Sequence, residues 1–298
     1  MRREDFLASD GKTLKLAVWD EVINPKAVVQ IAHGMAEHIA RYDEFARYLN
    51  GNGFIVVGDD HRAHGLTDPD ALGKSGNYDL FERTVEDERE ITDHLIREKK
   101  LPVILFGHSY GSFITQRYLQ KGDNGLKGAI VCGSAYMKGI AVALGNAVAK
   151  MKYKRHRDEE GKFFASVTFA SYDKKLKEGK SAWLNRDKAE VEKYRADEFC
   201  GYTCSIGFYR WFFAGLKKIA DQKTLPLNAS FPLLIISGSQ DAVGGNGKLV
   251  KALYKRYRSF GLNPTLKLYD GARHEILNEI NKAEVYADIL KFLNDSLT

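Results

Sequence analysis

At 298 residues, with 44% hydrophobic and 28% charged residues, the chain has the composition of a soluble globular protein with one large core, or one core and an inserted subdomain. The longest apolar stretch, residues 139–149, is too short to span a bilayer, and the charged first ten residues lack the apolar core of a secretion signal. The net charge of +6 is uneven: residues 135–230 hold 19 Lys+Arg against 11 Asp+Glu.

Such a basic middle suits anionic partners such as lipid headgroups, or is simply a solvated face. Three cysteines, Cys132, Cys200 and Cys204, are few and odd in number, which fits a reducing, cytoplasmic setting with free thiols and no zinc site.

In chain order, the turn signal at residues 9–12 precedes a half-buried strand over 13–20. Residues 27–32 are continuously apolar, as in a strand covered on both faces. A helix follows the His33-Gly34-Met35-Ala36-Glu37-His38 loop and stops at Gly51 and Gly53. A strand at 54–58 leads to Asp60-His61-Arg62-Ala63-His64-Gly65, and a helix is expected within 81–100.

The next strand, Val103 to Phe106, runs straight into Gly107-His108-Ser109-Tyr110-Gly111 and a helical pattern. G-x-S-x-G between a strand and a helix describes a sharp turn that presents the serine hydroxyl at the sheet's edge. Glycines on either side let strand and helix approach closely enough to hold it. Another strand is expected at 128–132.

No convincing strand follows until 232–237. Between them lie helical patterns at 139–151, 187–199 and 206–219, the last dense in aromatics (Phe208, Tyr209, Trp211, Phe212, Phe213). A helix at 247–260, a strand at 265–269 and a helix at 279–297 complete the chain. We therefore expect an α/β fold with a mostly parallel sheet covered by helices on both faces. Residues 1–134 and 231–298 form its catalytic domain, and 135–230 an inserted helical cap.

A nucleophilic serine needs a base, and the base needs an acid to set its tautomer. Asp241 follows the strand at 232–237 and His274 the strand at 265–269, which completes the order Ser109, Asp241, His274. Asp270 is a rival acid, but its place beside Gly271 reads as turn chemistry.

The chain resembles the α/β-hydrolases, in particular the monoacylglycerol lipase and lysophospholipase-like branch related to the serine aminopeptidases. The motifs that carry the resemblance are His33 to His38, Asp60 to Gly65, Gly107 to Gly111, Gly238 to Asp241 and Gly271 to His274. Ala63 stands where that family usually has glycine. The resemblance implies an oxyanion hole made by the backbone N–H groups of Met35 and Tyr110. It also implies structural roles for His33, His38, Asp60, His61, Arg62 and His64, and we read His108 as packing or pocket wall.

The expected chemistry is hydrolysis of carboxylic esters through an acyl group on Ser109, with a monoacylglycerol or lysophospholipid as substrate. Phe208, Trp211 and Phe212 are candidate walls of an acyl tunnel, or the glue between cap and sheet. The basic cap suits transient contact with a membrane surface.

An aminopeptidase is the rival reading, with Glu159, Glu160 and Glu198 available for an ammonium group, although the basic cap works against it. A small-ester carboxylesterase is a further alternative, and a non-catalytic binding protein is disfavoured by an intact triad. A halide-releasing enzyme would need aspartate at 109. No dinucleotide fingerprint, metal cluster or nucleic-acid motif is present, so no cofactor and no nucleic acid is expected.

Overall fold

The computed structural model spans residues 1–298 and describes all side chains except those of Phe169, Ala170 and Lys175. Its centre is one eight-stranded sheet. The strands are β1 (Arg2–Leu7), β2 (Thr13–Trp19), β3 (Ala27–Ala32), β4 (Phe54–Asp60), β5 (Val103–His108), β6 (Gly128–Cys132), β7 (Leu233–Gly238) and β8 (Thr265–Tyr269). Their spatial order is β1-β2-β4-β3-β5-β6-β7-β8. β1 and β2 run antiparallel to their neighbours, and every pairing from β4 onward is parallel.

Parallel strands need crossovers, and here helices supply them on both faces. On one face lie α2 (Leu80–Lys99), α3 (Tyr110–Gln120) and α9 (Lys248–Ser259), in a core that includes Val28, Leu105 and Val131. On the other lie α1 (Asp43–Gly51) and α10 (Lys282–Asp295), over Val29, Ile104 and Ile130. Successive strand residues thus feed opposite cores, which is why β3, apart from buried Gln30, and the first four residues of β5 are apolar.

β1 was not expected from the sequence. Its six residues carry four charges, yet it pairs with β2 from Arg2 opposite Val18 to Leu7 opposite Thr13. As an edge strand it can expose those charges, and it sinks one side against the sheet, with Arg3 paired to buried Asp60 at 3.1 Å.

Between β6 and β7 lie five helices: α4 (Ile140–His156), α5 (Lys162–Val167), α6 (Phe169–Leu176), α7 (Lys188–Ala196) and α8 (Ile206–Asp221). α5 and α6 were not expected, because neither is long enough to display a helical period. α4 runs a turn and more beyond its expected end at Met151. α8 begins with Ser205, whose hydroxyl accepts the Phe208 N–H at 3.2 Å. It packs Phe208 and Phe212 against Phe81, Tyr110 and Phe113 of α2 and α3.

Candidate active site

Because β3, β5, β7 and β8 are parallel, the loops that leave their carboxyl ends gather at one edge of the sheet. Ser109 stands between β5 and α3 at φ 51°, ψ −114°, a left-handed conformation that a side chain resists. Such a residue typically carries about 1–3 kcal/mol of strain, which the surroundings must hold. They do so with backbone: Ser109 N–H donates to Cys132 O at 3.0 Å, and Gly111 N–H to His33 O at 3.0 Å. A Cβ on Gly111 would overlap the carbonyl of Ala32, and one on Gly107 would overlap Thr115 Oγ1 and the Gly111 carbonyl. Both glycines are therefore required by contact.

Asp241, just past β7, is fully buried. Its carboxylate accepts from the Ser237 hydroxyl at 2.8 Å, the Val243 N–H at 2.9 Å and His274 Nδ1 at 3.0 Å. Burial alone would raise its pKa, but the adjacent His274 and these three bonds hold it below the usual carboxylate range. Since a carboxylate only accepts, Nδ1 carries the proton and Nε2 is left as the basic nitrogen. His274 Nε2 is buried and has no hydrogen-bond partner among the described residues.

Ser109 and His274 line the same cavity of about 400 Å³. The rival acid, Asp270, is exposed and, among the described residues, meets only the Ser239 hydroxyl, at 3.4 Å.

Met35 lines this cavity too. Its loop is tied down by Glu37, which accepts from Gly34 N–H at 2.5 Å and from the Tyr42 hydroxyl at 2.9 Å. Burial opposes a charge on Glu37, but Arg41 and His108 keep it well below its ordinary pKa. Below the loop, His33 donates from Nδ1 to Gly34 O at 2.7 Å and accepts the His61 N–H at 3.0 Å. Tyr110 is the first residue of α3, where an amide has no partner within its own helix.

Further residues contribute to the site beyond the expected triad. Trp183 and His108 flank the His274 ring, with centroids at 5.0 and 4.9 Å. His108, expected to pack or to wall the pocket, lies on the cavity wall, 3.3 Å from both Glu37 Oε1 and His274 O. Glu275, also on the cavity wall, is held by both terminal nitrogens of Arg41 at 2.7 and 2.8 Å. Trp183 lies in a stretch without periodicity, so nothing local betrayed it.

The aromatics proposed as an acyl tunnel sit elsewhere. Phe208 and Phe212 are turned to α2 and α3, and Trp211 packs on Tyr153. The α8 side chain that lines the cavity is Tyr209. α8 is apolar on several sides, and packing against α2 and α3 on one side and α4 on another sets its rotation.

Among the described residues, two side-chain groups have the composition of a metal site. In Asp59, His61 and Glu88, both His61 nitrogens already face acceptors, Asp59 at 3.1 Å and His33 O at 3.2 Å, so no lone pair is free. In His38, Asp197 and Cys200, the histidine bonds Asp197 at 2.8 Å and burial pushes the Cys200 thiol up.

The family model described as serine aminopeptidase S33 matches residues 23–281. The chain belongs to this family of α/β-hydrolases. This S33-family chain is 29% identical over 289 residues to the monoglyceride lipase homolog of Monkeypox virus, covering 95% of this chain and 93% of the relative. It is 27% identical to the monoacylglycerol lipase of Mycolicibacterium smegmatis, over 97% and 95% of the two chains. It also matches an uncharacterized abhydrolase domain-containing protein of Dictyostelium discoideum, at 27% identity over 98% of this chain, and spans 29% of that longer protein.

Among solved structures, a thermostable carboxyl esterase from Bacillus coagulans in complex with glycerol superposes with a TM-score of 0.90 at 27% identity, covering 100% of this chain and 99% of that one. A lipase in an open form gives 0.89 at 26%, with the same coverage. The fold of this S33-family member is therefore the α/β-hydrolase fold.

Proposed function

We propose that the protein is a carboxylic ester hydrolase that cleaves lipid-like esters, a monoacylglycerol or lysophospholipid, through an acyl-enzyme on Ser109. The observation that carries this reading is the strained Ser109, sharing a cavity with His274 while buried Asp241 holds the histidine's Nδ1 proton. The relatives named monoglyceride or monoacylglycerol lipase support the substrate class.

In this mechanism Ser109 Oγ attacks the ester carbonyl carbon while His274 Nε2 takes the hydroxyl proton. Asp241 stabilises the resulting imidazolium. The carbonyl oxygen becomes an oxyanion, met by the N–H groups of Met35 and Tyr110, an arrangement typically worth about 3–4 kcal/mol per donor. The alcohol leaves with the proton from His274. Water then repeats the sequence on the acyl-enzyme, and the fatty acid departs.

Residues 135–230 serve as the cap in this proposal, and Tyr209, Trp183 and Tyr194 are among the residues it contributes to the cavity wall.

The family's name raises aminopeptidase activity as a second reading. A free ammonium group would need an uncommitted carboxylate in the cavity. Glu37 and Glu275 are already paired with Arg41, and Asp173 accepts the Ser181 N–H at 2.7 Å. Glu159, Glu160 and Glu198, considered earlier for that role, are not on the cavity wall. Ester hydrolysis is the better fit.

The deciding experiment is Ser109→Ala, assayed on p-nitrophenyl esters with the fold followed by circular dichroism. We expect activity at the background rate in a folded protein. A folded variant that keeps full activity would refute the mechanism.

A further inference from the structure

Residues 177–187, between α6 and α7, form neither helix nor strand. Lys177, Gly179 and Ser181 are in the left-handed region, so the backbone follows no regular pattern there. Yet Trp183 and Leu184 are buried, and both line the cavity that contains Ser109. A buried irregular segment must find partners for its carbonyls outside itself.

Those partners come from the loop that carries the catalytic histidine. Arg273, the residue before His274, donates from Nη1 to Ala182 O at 2.8 Å and to Asn185 O at 3.2 Å. Its Nη2 donates to Glu178 Oε1 at 2.8 Å. The Glu275 N–H, just after His274, donates to Leu184 O at 2.8 Å. Glu279, whose side chain is fully buried, closes the junction. It accepts the Arg273 N–H at 2.8 Å, Arg186 Nε at 2.9 Å and the Arg186 N–H at 3.2 Å. The turn at residues 182–185 is thus fastened to the histidine loop by residues on both sides of His274.

What this fastening sets in place is Trp183, whose ring centroid lies 5.0 Å from that of His274. Asp241 holds the imidazole at Nδ1, 3.0 Å away. One bond locates that nitrogen but leaves the ring free to tilt about it. A rigid indole beside the ring restricts the tilt, and so sets the direction of Nε2. Arg273 is suited to the task because a planar guanidinium sends its donors out in fixed directions. Its ion pair with Glu178 is the lesser part, since that carboxylate is half in solvent.

We propose that Arg273 is a positioning residue: it pins the turn at 182–185 to the His274 loop and, through Trp183, aims the base at Ser109. The proposal rests on the ester-hydrolase reading. Displacing a reacting group by about 1 Å typically costs on the order of 100-fold in rate.

The test is a double-mutant cycle of Arg273→Met and Trp183→Leu, with kcat and KM measured on a soluble p-nitrophenyl ester. Hydrogen exchange over residues 180–187 and circular dichroism accompany it. Arg273→Met should lower kcat by about 10- to 100-fold with KM within about threefold, and speed exchange in the turn by about tenfold. Trp183→Leu should lose a similar factor in kcat. The double variant should lose no more than the worse single one, because the arginine acts through the tryptophan. Arg273→Lys, which keeps one donor near the carbonyls, should recover part of the loss, and it replaces Arg273→Met in the cycle if that variant does not fold.

Unchanged exchange in the turn would overturn the proposal, as would faster exchange with the parent's kcat. Losses that multiply in the double variant would also overturn it, by making the two residues independent. If Ser109→Ala leaves the activity unchanged, the ester-hydrolase reading falls and this one with it. If Ser109→Ala is inactive while Arg273→Met is fully active, only this one falls.

Discussion

Ser109 is held at φ 51° by a close strand–helix approach that leaves no room for a side chain at Gly107 or Gly111. Gly111→Ala therefore sets two effects against each other. Alanine is the better helix former by about 1 kcal/mol. Against this, its Cβ would strike the backbone carbonyls of Ala32 and His33, which cannot rotate away as a side chain would. Overpacking of this kind costs about 1–3 kcal/mol or more, so the clash wins. We expect a lower melting temperature and a large loss of kcat; an unchanged melting curve would mean that β3 and α3 can move apart.

The acid is settled by a second pair of variants. Asp241→Asn should lower kcat by about four orders of magnitude, the size seen when a serine-protease triad loses its acid. Asp270→Asn, at an exposed residue, should leave kcat within about twofold. The reverse pattern would assign the role to Asp270.

At the scale of elements, Glu82 is where three helices meet. From α2 it contacts Arg117 of α3 at 2.8 Å, Lys121 just past the end of α3 at 2.9 Å, and Lys218 of α8 at 3.2 Å. Burial raises its pKa, but the bonds from Lys121 and Arg117 outweigh that and bring it down to about 2, from an ordinary 4.5. A depressed folded-state pKa gives stability that is fully present above the unfolded pKa and is lost as the pH falls through the folded one. The window is thus roughly pH 4.5 down to 2, and the contribution is on the order of 2 kcal/mol after allowance for residual solvent contact. Glu82→Gln should be less stable than the parent at pH 7, with the gap closing toward pH 2 in urea melts. A gap that stays constant with pH would show that the carboxylate's charge is not what joins the helices.

For the molecule as a whole, the cavity belongs to neither half of the chain. Ser109, Met35 and His274 come from the ends of strands, whereas Trp183, Tyr194 and Tyr209 come from the segment between β6 and β7. A volume of about 400 Å³ lies at the lower end of small-molecule sites and exceeds what an acetyl group needs. Across p-nitrophenyl esters from acetate to palmitate, kcat/KM should therefore peak at medium chains. A peak at acetate would leave a small-ester esterase. Cleavage of an aminoacyl p-nitroanilide instead would move the protein to peptidase chemistry.

What the sequence by itself determined is what depends on neighbours along the chain. Gly107 to Gly111 after an apolar run, and Asp241 and His274 each just past a strand, were legible because turns, strand ends and chain order are local properties. Fold class was legible for the same reason, since short apolar strands alternating with amphipathic helices leave few arrangements of a sheet.

What only the tertiary structure decided is which faces meet. β1 becomes a strand only because β2 offers it an edge. Phe208 and Phe212 turned to α2 and α3 while Tyr209 took the cavity, because α8 has apolar residues on several sides and only its partners choose among them. Trp183 and His108, 91 and 166 residues before His274, reach its two sides through packing that no local pattern encodes.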